Sequence, residues 1–478
     1  MGRPRSRATM QDVELVDVAD RSSAPRDPGP PPPHLPGPHP HRRRWTVVLV
    51  TVALVLGGVV TVGRAASRDV ARPQLAAGML TPLDGPPWSR WRAEVPRGDD
   101  VLAATGVLVT SAVRQGRFQV TAWDDETGER RWQRDLGPVA GTRPLTSCPH
   151  DDDDVGDLIV CVVEPPVVPT DPAHPSTVPF PAPDERWARV SAIDAATGEE
   201  RGTWTLVGRL AAVERVGDDV VVLTVGPDGH ARVARYSADG GHLRWWHRGG
   251  DRIRLREGIV SGSELRVNDT FVLVQGWSAT VLDADDGTEI AGPPSSSFVI
   301  GALQGELFGT WSSGEGGTVR DRHGRELFRT DALFPALTAS DREPSDVLVL
   351  DEGGEIVGRL LPGGGELWRM ETYRAARLQA AGRLVLLGVD GYQVVDVRSG
   401  ELAWETPGRV LMWWAPLTDG TVVLGAGRTG GGSATVEARR LSDGALEWAL
   451  PLPDGVRSVT SVGGHLVLRT RDELILYG

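Results

Sequence analysis

The sequence predicts an all-β fold, an eight-bladed β-propeller of four-stranded antiparallel blades, with nine as the alternative count, preceded by one transmembrane helix. Three observations predict it. One turn phrase recurs eight times after residue 120, strand-length apolar runs alternate with Gly and Asp turns, and one uncharged 19-residue run lies near the N-terminus. The chain has 478 residues, with 59 Gly and 36 Pro against 5 Met. That balance disfavours a helical bundle, and the length suits one large β architecture.

Residues 1–44 read as a disordered, Pro- and Arg-rich cytoplasmic tail, largely polyproline II over 28–41. Residues 45–63, WTVVLVTVALVLGGVVTVG, carry no charge. As a helix they extend about 28 Å, enough to cross a membrane. Arg42, Arg43 and Arg44 abut the leading end, which predicts a cytoplasmic N-terminus and an extracytoplasmic body. Residues 64–84 read as a linker and 85–478 as the propeller. The first 64 residues hold nine Arg against five acids, so the rest of a chain of net charge −13 carries about −17 and would repel nucleic acid. There is no lysine and one asparagine, Asn268, the mark of a GC-rich bacterial genome.

Two cysteines, Cys148 and Cys161, flank the acidic turn Asp151 to Asp154. A hairpin there brings them within disulfide range, and such a bridge persists in an oxidising compartment. That agrees with the predicted topology. The same four Asp offer carboxylate oxygens of the kind calcium takes, but a solvated hairpin tip explains them without an ion.

The turn phrase is an apolar run, Asp or a polar residue, a Gly turn, then a bulky residue. Its copies include AWDDETGERRW (122–132), AIDAATGEERGTW (192–204), LLPGGGELW (360–368) and RRLSDGALEW (439–448). Between the turn glycines Gly128, Gly198, Gly241, Gly287, Gly324, Gly364, Gly400 and Gly444 the steps are 70, 43, 46, 37, 40, 36 and 44. After the first, each step holds about four strands and their turns. Asp caps the turn and Gly takes the positive φ. A single such sheet leaves its faces bare, and stacking sheets around a ring covers them. The chain ends in two strands, 465–478. The strand PWSRWRAEV (87–95) is available to complete that blade and close the ring.

AIDAATGEERGTW, VVDVRSGELAW and AWDDETGERRW resemble the repeat of the pyrroloquinoline-quinone-type (quinoprotein-like) β-propellers, over about residues 85–478. The resemblance implies that the repeat Trp packs between blades, which assigns Trp132, Trp204, Trp245, Trp368, Trp404 and Trp448 to the core, with Trp91 in the same place on the closing strand. Ile290 and Phe328 substitute in two copies. Known members favour eight blades, whereas the motif count is eight full copies plus one shared blade. Enzymes of this family hold a quinone and a calcium ion over the channel, and many have adjacent cysteines. This chain has no vicinal cysteine pair, and its Asp residues mostly sit in the repeated turn. No catalytic residue, cofactor or metal is therefore expected.

The expected function is a membrane-anchored binding or scaffolding module for protein or cell-envelope partners. Two readings stand beside it, a quinone-dependent dehydrogenase and a sensor that signals through the tail. The pair Trp413 and Trp414 in LMWWAPL (411–417) is the candidate binding surface, because neighbouring strand residues face opposite ways. Trp245 and Trp246 pose the same question.

Overall fold

The computed structural model describes residues 78–478, outside 96–99, 140–145, 150–155, 165–186, 253–254, 257–258, 261–263, 293–298, 313–315, 342–344, 408–413, 429–433 and residues 227 and 277. The tail 1–44, the apolar run 45–63, Asp151 to Asp154 and Trp413 lie outside the described residues. Among those described, no helix is long and apolar enough to cross a membrane.

The strands assemble into nine blade sheets. Blade 1 shows the plan, from the channel outward: Asp100–Ala104, Val107–Arg114, Arg117–Asp124 and Arg130–Pro138, each antiparallel to the last. Blades 3 (209–252), 4 (264–291), 5 (299–330), 7 (375–407) and 8 (417–451) repeat it. Blades 2 (158–207) and 6 (347–371) have three strands each among the described residues. In the inner position a single residue bridges instead, Ser147 to Val162 and Leu333 to Asp351. Blade 9 is composite, as the two orphan terminal strands predicted. Ser458–Val462, His465–Arg469 and Glu473–Tyr477 supply three strands, and Ser89–Glu94 adds the outer one with Trp91 opposite Leu476.

The expected count of eight is corrected to nine. Each of the eight turn phrases builds a blade sheet of its own, and the composite blade is additional. Counting copies predicts this, whereas the family's preference for eight does not.

The core lies between blades. Second strands such as Leu158–Val163 and Val347–Asp351 are apolar almost throughout because sheets cover both their faces. Outer strands bury little beyond the repeat aromatic: in Gly365–Glu371 only Trp368 is buried. One cluster joins Val349 and Ile356 of blade 6 to Leu384 and Leu386 of blade 7, and another joins Leu424 of blade 8 to Leu468 of blade 9. No sheet keeps both faces dry by itself, so the ring is the unit that excludes water.

In this meander the turns between inner and second strands, and between third and outer strands, emerge at one end of every blade. The remaining turns and the blade-to-blade connections emerge at the other. The ring therefore has a repeat-turn face and an opposite face.

Two chain segments lie inside the inner strands. Ala339–Ser340 runs parallel to Ala375–Ala380 of blade 7. Met79 bridges Thr418 of blade 8, also in parallel. The Leu80 amide donates to the Thr418 carbonyl at 2.7 Å and the Thr81 amide to the Gly464 carbonyl at 2.8 Å, while the Ser461 hydroxyl donates to the Met79 carbonyl at 2.5 Å. The last residues of the expected linker are thus packed into the ring, with Leu80 buried. Gly78, at φ +78°, lies so close to the segment at Ala339–Ser340 that a Cβ would stand 2.1 Å from the Thr338 carbonyl oxygen.

Candidate functional site

The repeat residues are used up in joining blades. The Trp of each copy lies on the turn glycine of the next: Trp91 on Gly128, Trp132 on Gly198, Trp204 on Gly241, Trp245 on Gly287, Trp368 on Gly400 and Trp404 on Gly444. Ile290 on Gly324 and Phe328 on Gly364 complete the series. A Cβ at Gly400 would meet the Trp368 ring at 2.6 Å, so the glycine is needed for the approach as well as for its φ of +70°. Five indoles also donate to a carbonyl three residues before that glycine. These are Trp91 to Asp125, Trp132 to Ala195, Trp245 to Ala284, Trp368 to Val397 and Trp404 to Leu441, at 2.8–3.0 Å. Trp204 makes the ring contact, but its Nε1 has no hydrogen-bond partner. Trp448 is buried between blades 8 and 9.

The turn carboxylates are likewise committed. Asp124 accepts from the amides of Glu126 and Thr127 and from Arg131. The Arg131 guanidinium, 2.5 Å away, and the Thr127 amide hold its carboxyl down at about 2. Asp194 is brought to about 2 first by Arg201, with Thr197 assisting against burial. Both stay ionised at neutral pH and serve as caps and ion-pair partners. Asn268 similarly accepts from the amides of Thr270 and Phe271.

Cys148 and Cys161 form the expected disulfide, with Cα atoms 4.0 Å apart. Both are buried. The bridge fastens segment 146–148 to the second strand of blade 2, in the position where every blade but 2 and 6 carries an inner strand among the described residues.

Of the candidate binding pair only Trp414 is among the described residues. Trp414 is 3% exposed, packs with Leu80 and Leu417, and donates its indole N–H to the Arg457 carbonyl at 3.1 Å. This corrects the expectation of an exposed anchor at Trp414. The inner strand of blade 8 is only Leu417–Thr418, so Trp414 precedes it and fills the space beside blade 9. In the other pair Trp245 is buried and Trp246 is 61% exposed on the outer edge of blade 3. Trp88 at 66% and Trp187 at 46% are also exposed. The repeat pattern marks neither, although their absence from the repeat position was a usable signal. Trp311 is a core residue the repeat also misses, donating to the Ala332 carbonyl.

Both faces of the ring carry acids. Among the described residues the repeat-turn face presents Asp125, Glu126 and Glu129 from blade 1, Asp157 and Glu199 from blade 2, and Asp218 and Asp239 from blade 3. Asp269, Asp285 and Asp286 follow on blade 4, Glu306 on blade 5, Asp341 and Asp346 beside blade 6, Glu401 on blade 7, and Asp419 and Asp443 on blade 8. Against them stand Arg322, Arg325 and Arg398, each paired with an acid. The opposite face carries Asp331, Glu352, Asp454 and Asp472 in its turns and connections, with Asp390 paired with Arg374 at 2.8 Å and Asp228 with Arg248 at 2.7 Å. That face also exposes Val113, Trp187, Val207, Tyr373 and Val389.

A quinone with calcium needs a carboxylate-bearing site over an accessible channel. Here chain segments 78–81 and 338–340 run inside the inner strands of blades 7 and 8. Among the described residues no group of three or more His, Cys, Asp or Glu is placed to hold an ion. The described residues do not fit that group.

No protein-family model and no curated protein matches the chain. Several solved structures are similar in fold. BamB from Moraxella catarrhalis is 16% identical with a TM-score of 0.44, over 82% of this chain and 99% of that one. The quinohemoprotein alcohol dehydrogenase ADHIIG from Pseudomonas putida HK5 is 13% identical with a TM-score of 0.40, over 85% and 80%. The dihydro-heme d1 dehydrogenase NirN is 14% identical with a TM-score of 0.40, over 78% and 81%.

Proposed function

We propose that this chain is a membrane-anchored, extracytoplasmic β-propeller that binds protein partners of the cell envelope and carries out no chemistry itself. The observation that supports it most is Trp246. In a ring where the repeat tryptophans pack between blades, this one stands 61% exposed on an outer strand, and an exposed Trp is the usual kind of interface anchor. The turn carboxylates, bound into caps and ion pairs, are poor candidates for acid–base work. Residues 45–63 supply the anchor, and Arg42, Arg43 and Arg44 retain the N-terminus in the cytoplasm.

Trp246→Ala tests the reading. It is expected to leave the melting temperature unchanged and to weaken capture of a partner from a membrane extract by roughly thirtyfold, the equivalent of about 2 kcal/mol. Unchanged capture overturns the anchor. Appearance of quinone absorbance in the protein after adding quinone and calcium would favour the dehydrogenase instead. A reporter fused after Gly478 that is active in the cytoplasm would overturn the topology.

A further inference from the structure

We propose that the outer strand of blade 3, on its side toward blade 2, receives an acidic, extended segment of a partner protein. Trp246 takes an apolar side chain of that segment, and Arg232 and Arg248 take a carboxylate. This rests on the binding reading above, in which Trp246 is the anchor, and it names what the anchor holds.

Strand register puts these groups on one surface. Between the third and outer strands of blade 3, His230–Ser237 and Leu243–Arg252, Tyr236 stands opposite Leu243, Ala234 opposite Trp246 and Arg232 opposite Arg248. Residues paired in this way share a face of the sheet. Tyr236 packs against the cluster of Val160, Val162 and Leu206, so the shared face is the one turned to blade 2. The residues between them point the other way: Trp245 and Arg235 both donate to the Ala284 carbonyl of blade 4. Leu243 and Trp246, each more than half exposed, therefore form one apolar row that ends in Arg248. In blades 1, 5, 6 and 7 the residue after the repeat aromatic is Gln133, Arg329, Arg369 and Glu405, polar as an outer edge strand requires. Blade 3 breaks that rule at Trp246.

The charge of this surface is opposite to that of the body around it. The third and outer strands of blade 3 carry five Arg and one acid, Asp251, the largest basic excess of any such strand pair in the ring. On the blade-4 side Arg235 and Arg244 share Asp219. On the blade-2 side Arg248 lies 2.7 Å and Arg232 3.9 Å from the one carboxylate of Asp228, so two guanidiniums again divide a single acid. The outer strand of blade 2, Glu200–Val207, adds no acid to this surface. It turns Trp204 and Leu206 toward blade 3, whereas Glu200 pairs with Ile193, which packs toward blade 1. Glu199 and Asp239 sit in the repeat turns, at the far end from Arg248.

The two kinds of contact do different work. Burial of the exposed indole carries the affinity, whereas half-exposed ion pairs add little to it and act on the choice of partner. An acidic segment is repelled by most of an acidic body and meets guanidinium in excess beside Trp246. Trp246 and Arg248 are two strand residues apart, about 7 Å. An extended segment presents the same spacing between an apolar side chain and a carboxylate two residues on, which is why the segment is assigned as extended.

The test uses the full chain in detergent micelles, with displayed random peptides of the strand's own length, 10 residues, as the probe. Peptides held by the parent protein and not by Trp246→Ser should carry an aromatic residue or Leu with Asp or Glu two positions away. A synthetic representative should bind Arg248→Gln about tenfold more weakly, lose affinity in high salt, and leave both variants' melting temperatures at the parent value. Arg248→Glu should lose the peptide, and exchanging the peptide's acid for Lys should restore binding to that variant, a reversal that a merely structural Arg248 would not give. If Arg248→Glu lowers melting, Arg232→Glu makes the same exchange. Held peptides without an acid, or equal binding by parent, Arg248→Gln and Arg232→Gln, overturn the acidic segment and leave Trp246 as anchor. Capture from a membrane extract that falls with Trp246→Ala but not with Arg248→Gln does the same. Capture that falls with neither, together with no peptide that depends on Trp246, overturns both.

Discussion

At the scale of single residues, the repeat is a set of local bonds whose strength can be read one at a time. Asp124 and Asp194, both held at about 2, have folded-state values below the usual carboxylate range. Depressed carboxylates add stability that is complete above the unfolded value near 4 and lost as pH falls through the folded value. Melting temperature should therefore drop between about pH 4 and pH 2, and Asp124→Asn with Asp194→Asn should make that drop shallower. An unchanged slope would show that the caps do not titrate with folding. The indoles offer a second contrast. Trp368 donates to Val397, whereas Trp204 Nε1 has no partner. Changing each to Phe keeps an aromatic ring, so Trp368→Phe should cost about 1 kcal/mol more than Trp204→Phe in denaturant unfolding. Equal costs would mean that ring contact alone matters. The Asp and Gly of each turn were legible because their conformational demands are local; Gly128 and Gly198 have φ of +72° and +71°.

At the scale of elements, blade 2 is held by chemistry that the other blades do not use. Ser147 is a lone bridge to Val162 where an inner strand belongs, and Cys148–Cys161 secures it. Cys161→Ala under oxidising conditions should lower stability by up to about 3 kcal/mol. A reductant should do the same to the unaltered protein and nothing further to the variant. If the variant and the parent unfold together, the bridge is dispensable. The cysteine spacing made the pairing legible, and its neighbours in sequence sufficed. What it substitutes for was not legible, since the lack of an inner strand among the described residues shows only when the sheet is assembled. Trp414 failed for a related reason. A two-residue inner strand, Leu417–Thr418, leaves Trp414 off the pleat, so strand alternation does not set its exposure.

At the scale of the whole molecule, one stretch of chain clasps blade 9 from both sides. Met79 and Thr81 bond its inner strand and turn, at Ser461 and Gly464, and Ser89–Glu94 forms its outer strand. Removing residues 1–77 should leave melting unchanged. Removing residues 1–94 should lower it by about 5 °C or more and broaden the calorimetric transition, because blade 9 loses its outer strand and its inner clasp together. A single sharp transition at the original temperature would show that the ring holds without closure.

The sequence by itself determined the β class, the copy number of the turn phrase, the closing strand and the bridge between the cysteines. Each rests on spacing, on backbone preference within a few residues or, for the closing strand, on the count of strands left over at the chain ends. Tertiary structure alone decided which copy each Trp serves, since its glycine lies one blade further on, some 37 residues from Trp91 to Gly128. It also decided that Trp414 is core while Trp246 and Trp187 face water, and that segments 78–81 and 338–340 run inside the inner strands. Those outcomes depend on which surfaces meet when nine sheets close a ring, and burial is a property of the assembled surface rather than of any strand.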